Sequence, residues 1–164
     1  MKRKEKTKEE ALLRLENLCS RSEQCEFELE RKMIGWGVRR EDRKAILEEL
    51  RENRYVDDKR FARSYANDKA RFSAWGPNKI RMELIKRHIK SSDISEALHG
   101  VEQEVWKTGL LRNARSKAKN LQLDLEGEEG YLERQKLYRY LIGRGFPSSA
   151  VSAVVKKLSN SSKG

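Results

Sequence analysis

The chain has 164 residues, 38% of them charged and 37% hydrophobic, with 37 Lys and Arg against 26 Asp and Glu and a formal net charge of +11. Leu, Ile, Val and Phe make up about 22% of it, just above the level below which a highly charged chain stays disordered, so the core is thin and built from small units. Two cysteines, Cys19 and Cys25, exclude a disulfide scaffold and a zinc site, and no apolar run approaches the roughly 18 residues of a membrane span.

In chain order, Met1 to Lys8 is charged, lacks a signal-peptide core and reads as a frayed tail (1–8). A helix is expected over 9–21 on Ala11, Leu12, Leu15 and Leu18. Leu29, Met33, Ile34, Val38, Ile46, Leu47 and Leu50 then form an apolar set with helical spacing, a break, and helical spacing again. Adding 51 to each position gives Ile80, Leu84, Ile85, Ile89, Ala97, Leu98 and Val101. Adding a further 57 gives Leu137, Leu141, Ile142, Phe146, Val154, Val155 and Leu158, and all 21 positions are apolar. Helices at 57–72 and 102–121 precede the second and third sets, and no strand-like alternation occurs.

The expected fold is therefore all-α: a tandem array of three three-helix, helix-turn-helix-like units forming an elongated, curved molecule. The units are 9–53, 54–101 and 102–158, the third carrying an exposed acidic loop at 123–130, with a second tail at 159–164.

The middle unit holds the strongest local signals. Asp57 is placed to cap a helix, with Val56 and Phe61 at the spacing of a hydrophobic staple. Gly76 caps the next, with Pro77 at its first position and Trp75 and Ile80 at staple spacing. Asp58, beside Asp57, also reads as a cap favoured by the helix dipole. Gly37 and Gly145 fit helix C-termini that need a positive φ.

Charge is concentrated in the same unit. Residues 1–53 carry a net +1, residues 54–90 a net +7 and residues 91–164 a net +3. On a helical wheel Arg60, Arg63 and Arg71 fall opposite Phe61, Tyr65 and Phe72, while Lys79 and Lys86 share a face of the next helix. Arg54, Arg87 and Lys90 lie at the ends, and Lys69 projects into the apolar stripe and snorkels out of it. Arg54, Arg60, Arg63, Arg71, Lys79, Lys86, Arg87 and Lys90 are the candidate contacts to an anionic partner, either nucleic acid or an acidic protein surface. Of Trp36, Trp75 and Trp106, Trp36 between two glycines is the one expected at the surface.

Catalysis finds no support. His88 and His99 have no partners at metal-ligand spacing, the glycines at 35–37 and 143–145 follow no strand, and no nucleophile has a base. No enzyme activity, cofactor, metal or catalytic residue is expected.

Tyr55-Val56-Asp57-Asp58, Phe61-Ala62, Gly76-Pro77 with Lys79-Ile80 and Glu83-Leu84, and Tyr140 through Phe146 together resemble the RecX family of bacterial RecA regulators. The pattern departs from the family at Cys25, where a Ser cap is usual, and at His88, where Gly is frequent. The sparse cysteines and charged N-terminus point to a cytoplasmic protein, expected to be monomeric, and the resemblance implies one that lies in the groove of the RecA–DNA filament. There it would inhibit the ATPase, recombinase and SOS co-protease activities of RecA, with weak, non-specific binding to single- and double-stranded DNA. The alternative is a sequence-specific helix-turn-helix DNA-binding protein reading DNA with residues 40–52, against which stand Glu41, Asp42, Glu48 and Glu49 on that helix.

Overall fold

A computed structural model describes residues 6–161, which form nine α-helices and no strand. They are α1 (Lys8–Arg21), α2 (Glu26–Gly35), α3 (Arg40–Glu52), α4 (Asp58–Arg71), α5 (Pro77–Lys86), α6 (Ser91–His99), α7 (Gln103–Ala118), α8 (Gly127–Gly143) and α9 (Ser148–Ser161). The all-α expectation holds, as does each expected helix start in the middle of the chain.

The caps explain where the helices begin. At α1, Glu10 N–H donates to Thr7 Oγ1 at 3.2 Å and Thr7 N–H to Glu10 Oε2 at 3.1 Å, a reciprocal capping box. Thr7 and Lys8 are thus ordered by the helix, where the sequence reading had a tail. At α4, Asp57 Oδ1 accepts from Arg60 N–H at 3.0 Å. Cys25, at the N-cap of α2, makes no side-chain cap bond. Asp58 supplies that bond from elsewhere in the chain, its Oδ1 accepting from Glu26 N–H at 2.9 Å. The Asp57-Asp58 pair therefore caps two different helices rather than one.

The chain groups into two compact units: residues up to Ser64 with Leu84–Ile94, and Tyr65–Glu83 with the residues from Ser95 on. Their boundary falls within α4 and α5. In the first unit α1 and α2 pack on α3 around Leu15, Leu29, Met33, Ile46 and Leu50, all without exposed surface. In the second, α7, α8 and α9 pack on one another around Leu110, Leu137, Leu141, Phe146 and Val151.

Most of the 21 apolar positions are buried, but the third of each set is not: Ile34, Ile85 and Ile142 are 55%, 51% and 38% exposed. Five residues past the first position, a helix has turned about 140° off the buried face, whereas four residues past it the offset is only about 40°. The set was apolar; its third member was not core.

Two further expectations are corrected. The exposed loop expected at 123–130 is shorter: 123–126 is an irregular turn in which Leu123, 4% exposed, joins the second core, and Gly127–Gly130 form the first turn of α8. Gly130 is buried there against Leu125, and a Cβ on it would lie 1.7 Å from Leu125 O. At the far end α9 continues through Ser161, with Ser159 buried and its hydroxyl donating to Val155 O at 2.7 Å. The rest of the two expected tails, residues 1–5 and 162–164, lies outside the described residues.

In the second unit the start of α5 meets the α8–α9 turn backbone to backbone. Gly76 N–H donates to Arg144 O at 2.8 Å and Asn78 N–H to Gly145 O at 2.9 Å. Gly145 has φ +97°, and a Cβ on it would stand 2.4 Å from Lys79 N. Gly145→Ala is expected to cost about 3 kcal/mol or more in chemical denaturation, through left-handed strain and backbone overlap together.

Asp58 offers a pH test. Burial outweighs its bond from Glu26 N–H and lifts its carboxyl above the ordinary 3.8. The folded chain then holds this proton to higher pH than the unfolded chain. Stability is lost as pH rises from 3.8 through the raised value, and it is level above that. Asp58→Asn keeps an acceptor for Glu26 N–H and is expected to match or slightly exceed the parent at neutral pH, without this loss. Asp58→Ala removes the cap and is expected to cost about 1 kcal/mol in urea denaturation.

Candidate anion-binding surfaces

In the first unit, the turn after α3, the start of α4 and the turn before α6 enclose a cleft of about 780 Å³. Arg51, Arg54, Lys59, Arg60 and Lys90 line it with Glu26, Asp57, Asp58, Asp93 and His88. Five cations face four carboxylates there, so the cleft is far closer to neutral than its stretch of sequence.

The carboxylates have internal work. Glu26 holds Arg51, Nε to Oε1 at 2.6 Å, and that bond raises the pKa of the Arg51 guanidinium further. Asp57 and Asp58 serve as caps. Arg60 is also committed internally. Its Nε donates to Glu23 Oε1 at 2.6 Å, and its Nη groups donate to Arg54 O at 3.2–3.3 Å and Tyr55 O at 3.4 Å. It ties the end of α1 to the turn that Arg54 makes at φ +59°. Arg87 donates to Glu28 Oε1 at 3.0 Å and is likewise held within its unit. Arg54 and Lys90 are exposed and form no ion pair among the described residues, which leaves their charges available to a partner. Arg63 and Lys86 are exposed as well.

His88 carries the turn after α5 at φ +56°, a conformation usually left to glycine, and its ring lies 4.4 Å from that of Phe27. The stack gives this histidine a structural role, as the sequence reading held.

The second unit holds Arg71 and Lys79. Arg71 Nη2 lies 3.7 Å from Glu102 Oε1, both well solvated, a pair of small energetic weight. Lys79 Nζ sits 4.4 Å from the Trp75 ring centroid and Lys69 Nζ 4.7 Å from it, so two ammonium groups share one half-buried indole. Lys69 also reaches within 5.6 Å of the Tyr65 ring, the snorkelling geometry expected of it. Trp36 is half-buried under Arg14, 4.8 Å from its ring, and not the surface aromatic expected.

Of the eight candidates, Arg54, Arg60 and Lys90 are thus gathered in one cleft, with Arg51 and Lys59 added by the fold. Arg51 to Arg60 are near neighbours in sequence, and only Lys90 joins them from a distance that gave no signal. Lys79 gains Lys69 as a neighbour through Trp75, which the period of α4 alone does not reveal.

Two family models match the chain: the second three-helix domain of RecX over residues 57–98 and the third over residues 112–155. The regulatory protein RecX of Clostridium botulinum (strain Alaska E43 / Type E3) is 32% identical over 111 residues, which are 68% of this chain and 50% of that protein. The chain thus spans about half the length of this relative. The regulatory protein RecX of Legionella pneumophila (strain Corby) is 31% identical over 144 residues, 88% of this chain and 91% of that protein. Among solved structures, one described as regulatory protein RecX superposes with a TM-score of 0.78 at 25% identity, covering 90% of this chain and 70% of that one. RecX from Lactobacillus salivarius superposes with 0.75 at 18% identity, covering 92% and 96%.

The arginines can be sorted by denaturation. Arg60→Ala removes a charge-assisted bond and two carbonyl contacts and is expected to cost about 1–2 kcal/mol. Arg54→Gln and Lys90→Gln should each stay within about 0.5 kcal/mol of the parent.

Proposed function

The chain belongs to the RecX family, and we propose that it is a non-enzymatic regulator that binds the RecA–DNA filament and lowers its ATP hydrolysis, strand exchange and co-protease activity. The observation that carries this reading is the match to two successive RecX three-helix domains. It is supported by relatives of that name that align over nearly the whole of both chains. In this reading the three-helix units are 9–53, 54–101 and 102–158, the protein acts in the cytoplasm as a monomer, and it needs no cofactor.

The site assignment follows from which cations are spent internally. Arg60 and Arg87 hold their own unit together, so the contacts to the filament are assigned to Arg54 and Lys90 in one unit and to Lys79, with Lys69, in the other. Arg63, Arg71 and Lys86 stand beside them as contributors of long-range attraction. DNA within the filament supplies phosphates for these groups, and bare single- or double-stranded DNA is bound weakly through the same charges. A sequence-reading role for α3 is disfavoured, since exposed Glu41 and Glu48 would be brought against phosphates.

The test is co-sedimentation with RecA filaments on single-stranded DNA against bare DNA at matched salt, with RecA ATP hydrolysis followed in parallel. The protein is expected to pellet with filaments more tightly than with DNA alone and to lower ATP turnover while hydrolysing nothing itself. Arg54→Gln with Lys90→Gln should keep the melting temperature close to the parent's and weaken filament binding, and adding Lys79→Gln, which also gives up the contact with Trp75, should weaken it further. On bare single strands each lost phosphate contact flattens the log–log salt slope by about 0.7. Unchanged RecA turnover in the presence of folded protein would refute the reading.

A further inference from the structure

Phe72 is 78% exposed, more than any other large apolar side chain described. The helical wheel placed it on the buried face of α4 with Phe61 and Tyr65. It stands just past the last residue of α4, its N–H still bonded to Asp68 O, and the side chain is left in solvent.

That turn is firmly held. Phe72 N–H donates to Asp68 O at 2.8 Å, and Ala74 O accepts from the buried Asn113 Nδ2 at 2.8 Å. Ser73 O accepts from the Arg144 guanidinium, and Trp75 N–H donates to Lys69 O at 3.0 Å. Ala74 takes φ +50°, a left-handed conformation that a side chain resists and that its neighbours must enforce. The phenyl ring is therefore presented on a fixed support, and its exposure is not slack.

Beside the ring lies a cleft of about 480 Å³, floored by Val105, Thr108 and Gly109 of α7. Its rim is charged but balanced: Arg71 and Arg112 against Glu102 and Glu104. Arg71 already faces Glu102. Arg112 has one long bond, Nη2 to Phe72 O at 3.4 Å, and no ion pair among the described residues. A nucleic-acid strand carries a charge at every nucleotide and would be driven against Glu102, whose side chain is 74% exposed, and against Glu104. A protein segment with a single carboxylate has no such conflict.

We propose that this cleft is a docking site for a protein segment presenting an apolar side chain to Phe72 and a neighbouring carboxylate to Arg112. An aromatic on a rigid support with an arginine at its edge is the composition of an interface anchor, and the carboxylate would complete a charge-assisted pair that Arg112 lacks. The inference rests on the reading that the chain works by binding the recombinase filament, whose protein subunits would supply the segment.

The experiment uses the full chain with Phe72→Ala and, separately, Arg112→Gln. Each is measured by co-sedimentation with RecA–single-stranded DNA filaments, by fluorescence anisotropy on bare single-stranded DNA at the same salt, and by thermal melting. Phe72→Ala is expected to weaken filament binding at least about tenfold and Arg112→Gln several-fold. Affinity for bare DNA and the melting temperature should stay at parental values, since neither side chain is buried. Parental filament binding by both variants overturns the proposal. So does an equal loss on bare DNA, which would make the cleft a nucleobase site. Failure of the unaltered protein to pellet with filaments is a different result: it removes the functional reading itself, and this inference with it.

Discussion

Two glycines let two backbones touch. A Cβ on Gly76 would lie 2.3 Å from Gly145 C, so no other residue fits without moving one of the turns. What the contact gains is hydrogen bonding. The first N–H groups of a helix have no partner within it, and here those of Gly76 and Asn78 find the carbonyls of Arg144 and Gly145. The start of α5 is thereby capped by the end of α8. Trp75, one residue earlier, is placed for Lys69 and Lys79 to share, and the neighbouring turn carries Phe72 outward. Asn113 and Arg144 finish the fixation by donating to Ala74 O and Ser73 O. The start of α5 and the turn before it are thus fixed at a close approach that only glycine permits and by two side-chain donors beside it.

How much of this could be read in the chain depended on the range of the interaction. Helix periods, the Asp57 cap, Pro77 after Gly76 and the positive φ of Gly37 and Gly145 are local, and local spacing gave them correctly. Asp58 looked like a second copy of Asp57, but its carboxylate serves a residue 32 positions away. That borrowed cap also explains how α2 starts on Cys25, whose thiol makes no cap bond and is pushed by burial to about 11. The helical wheel failed at helix ends for a related reason. It gives Phe72 a direction but not a neighbour to bury it at the helix end, and the repeated apolar set counted Ile34, Ile85 and Ile142 as core although the wheel itself turns them away from the buried face.

Charge was legible as a total and illegible as a set of contacts. A net of +7 over residues 54–90 correctly marks where cations concentrate, yet composition does not distinguish an arginine that faces solvent from one that ties turns together. Arg60 and Arg54 differ by six positions. Arg60 spends its guanidinium on Glu23 and the Arg54 and Tyr55 carbonyls, and Arg54 offers its main-chain oxygen while its side chain stays outside. Planar, multivalent guanidinium suits the first task, where several acceptors converge; the second asks only for a charge.

This division bears on how a weakly charged cleft could serve a filament. Each local patch is modest: two unpaired cations near a nearly neutral cleft, two lysines around one indole, one phenyl ring with one arginine. Carried on one chain and set against a partner whose subunits repeat, such contacts add through effective concentration rather than through individual strength. Under the proposed function that is sufficient for tight retention on a filament, and it also keeps affinity for free DNA or free protein low, because neither presents phosphate and apolar-acidic protein surface together. Selectivity for the assembled state then needs no single strong site. On the proposed site assignments it would follow from dividing the recognition between charges that any polyanion satisfies and an apolar cleft that a polyanion does not.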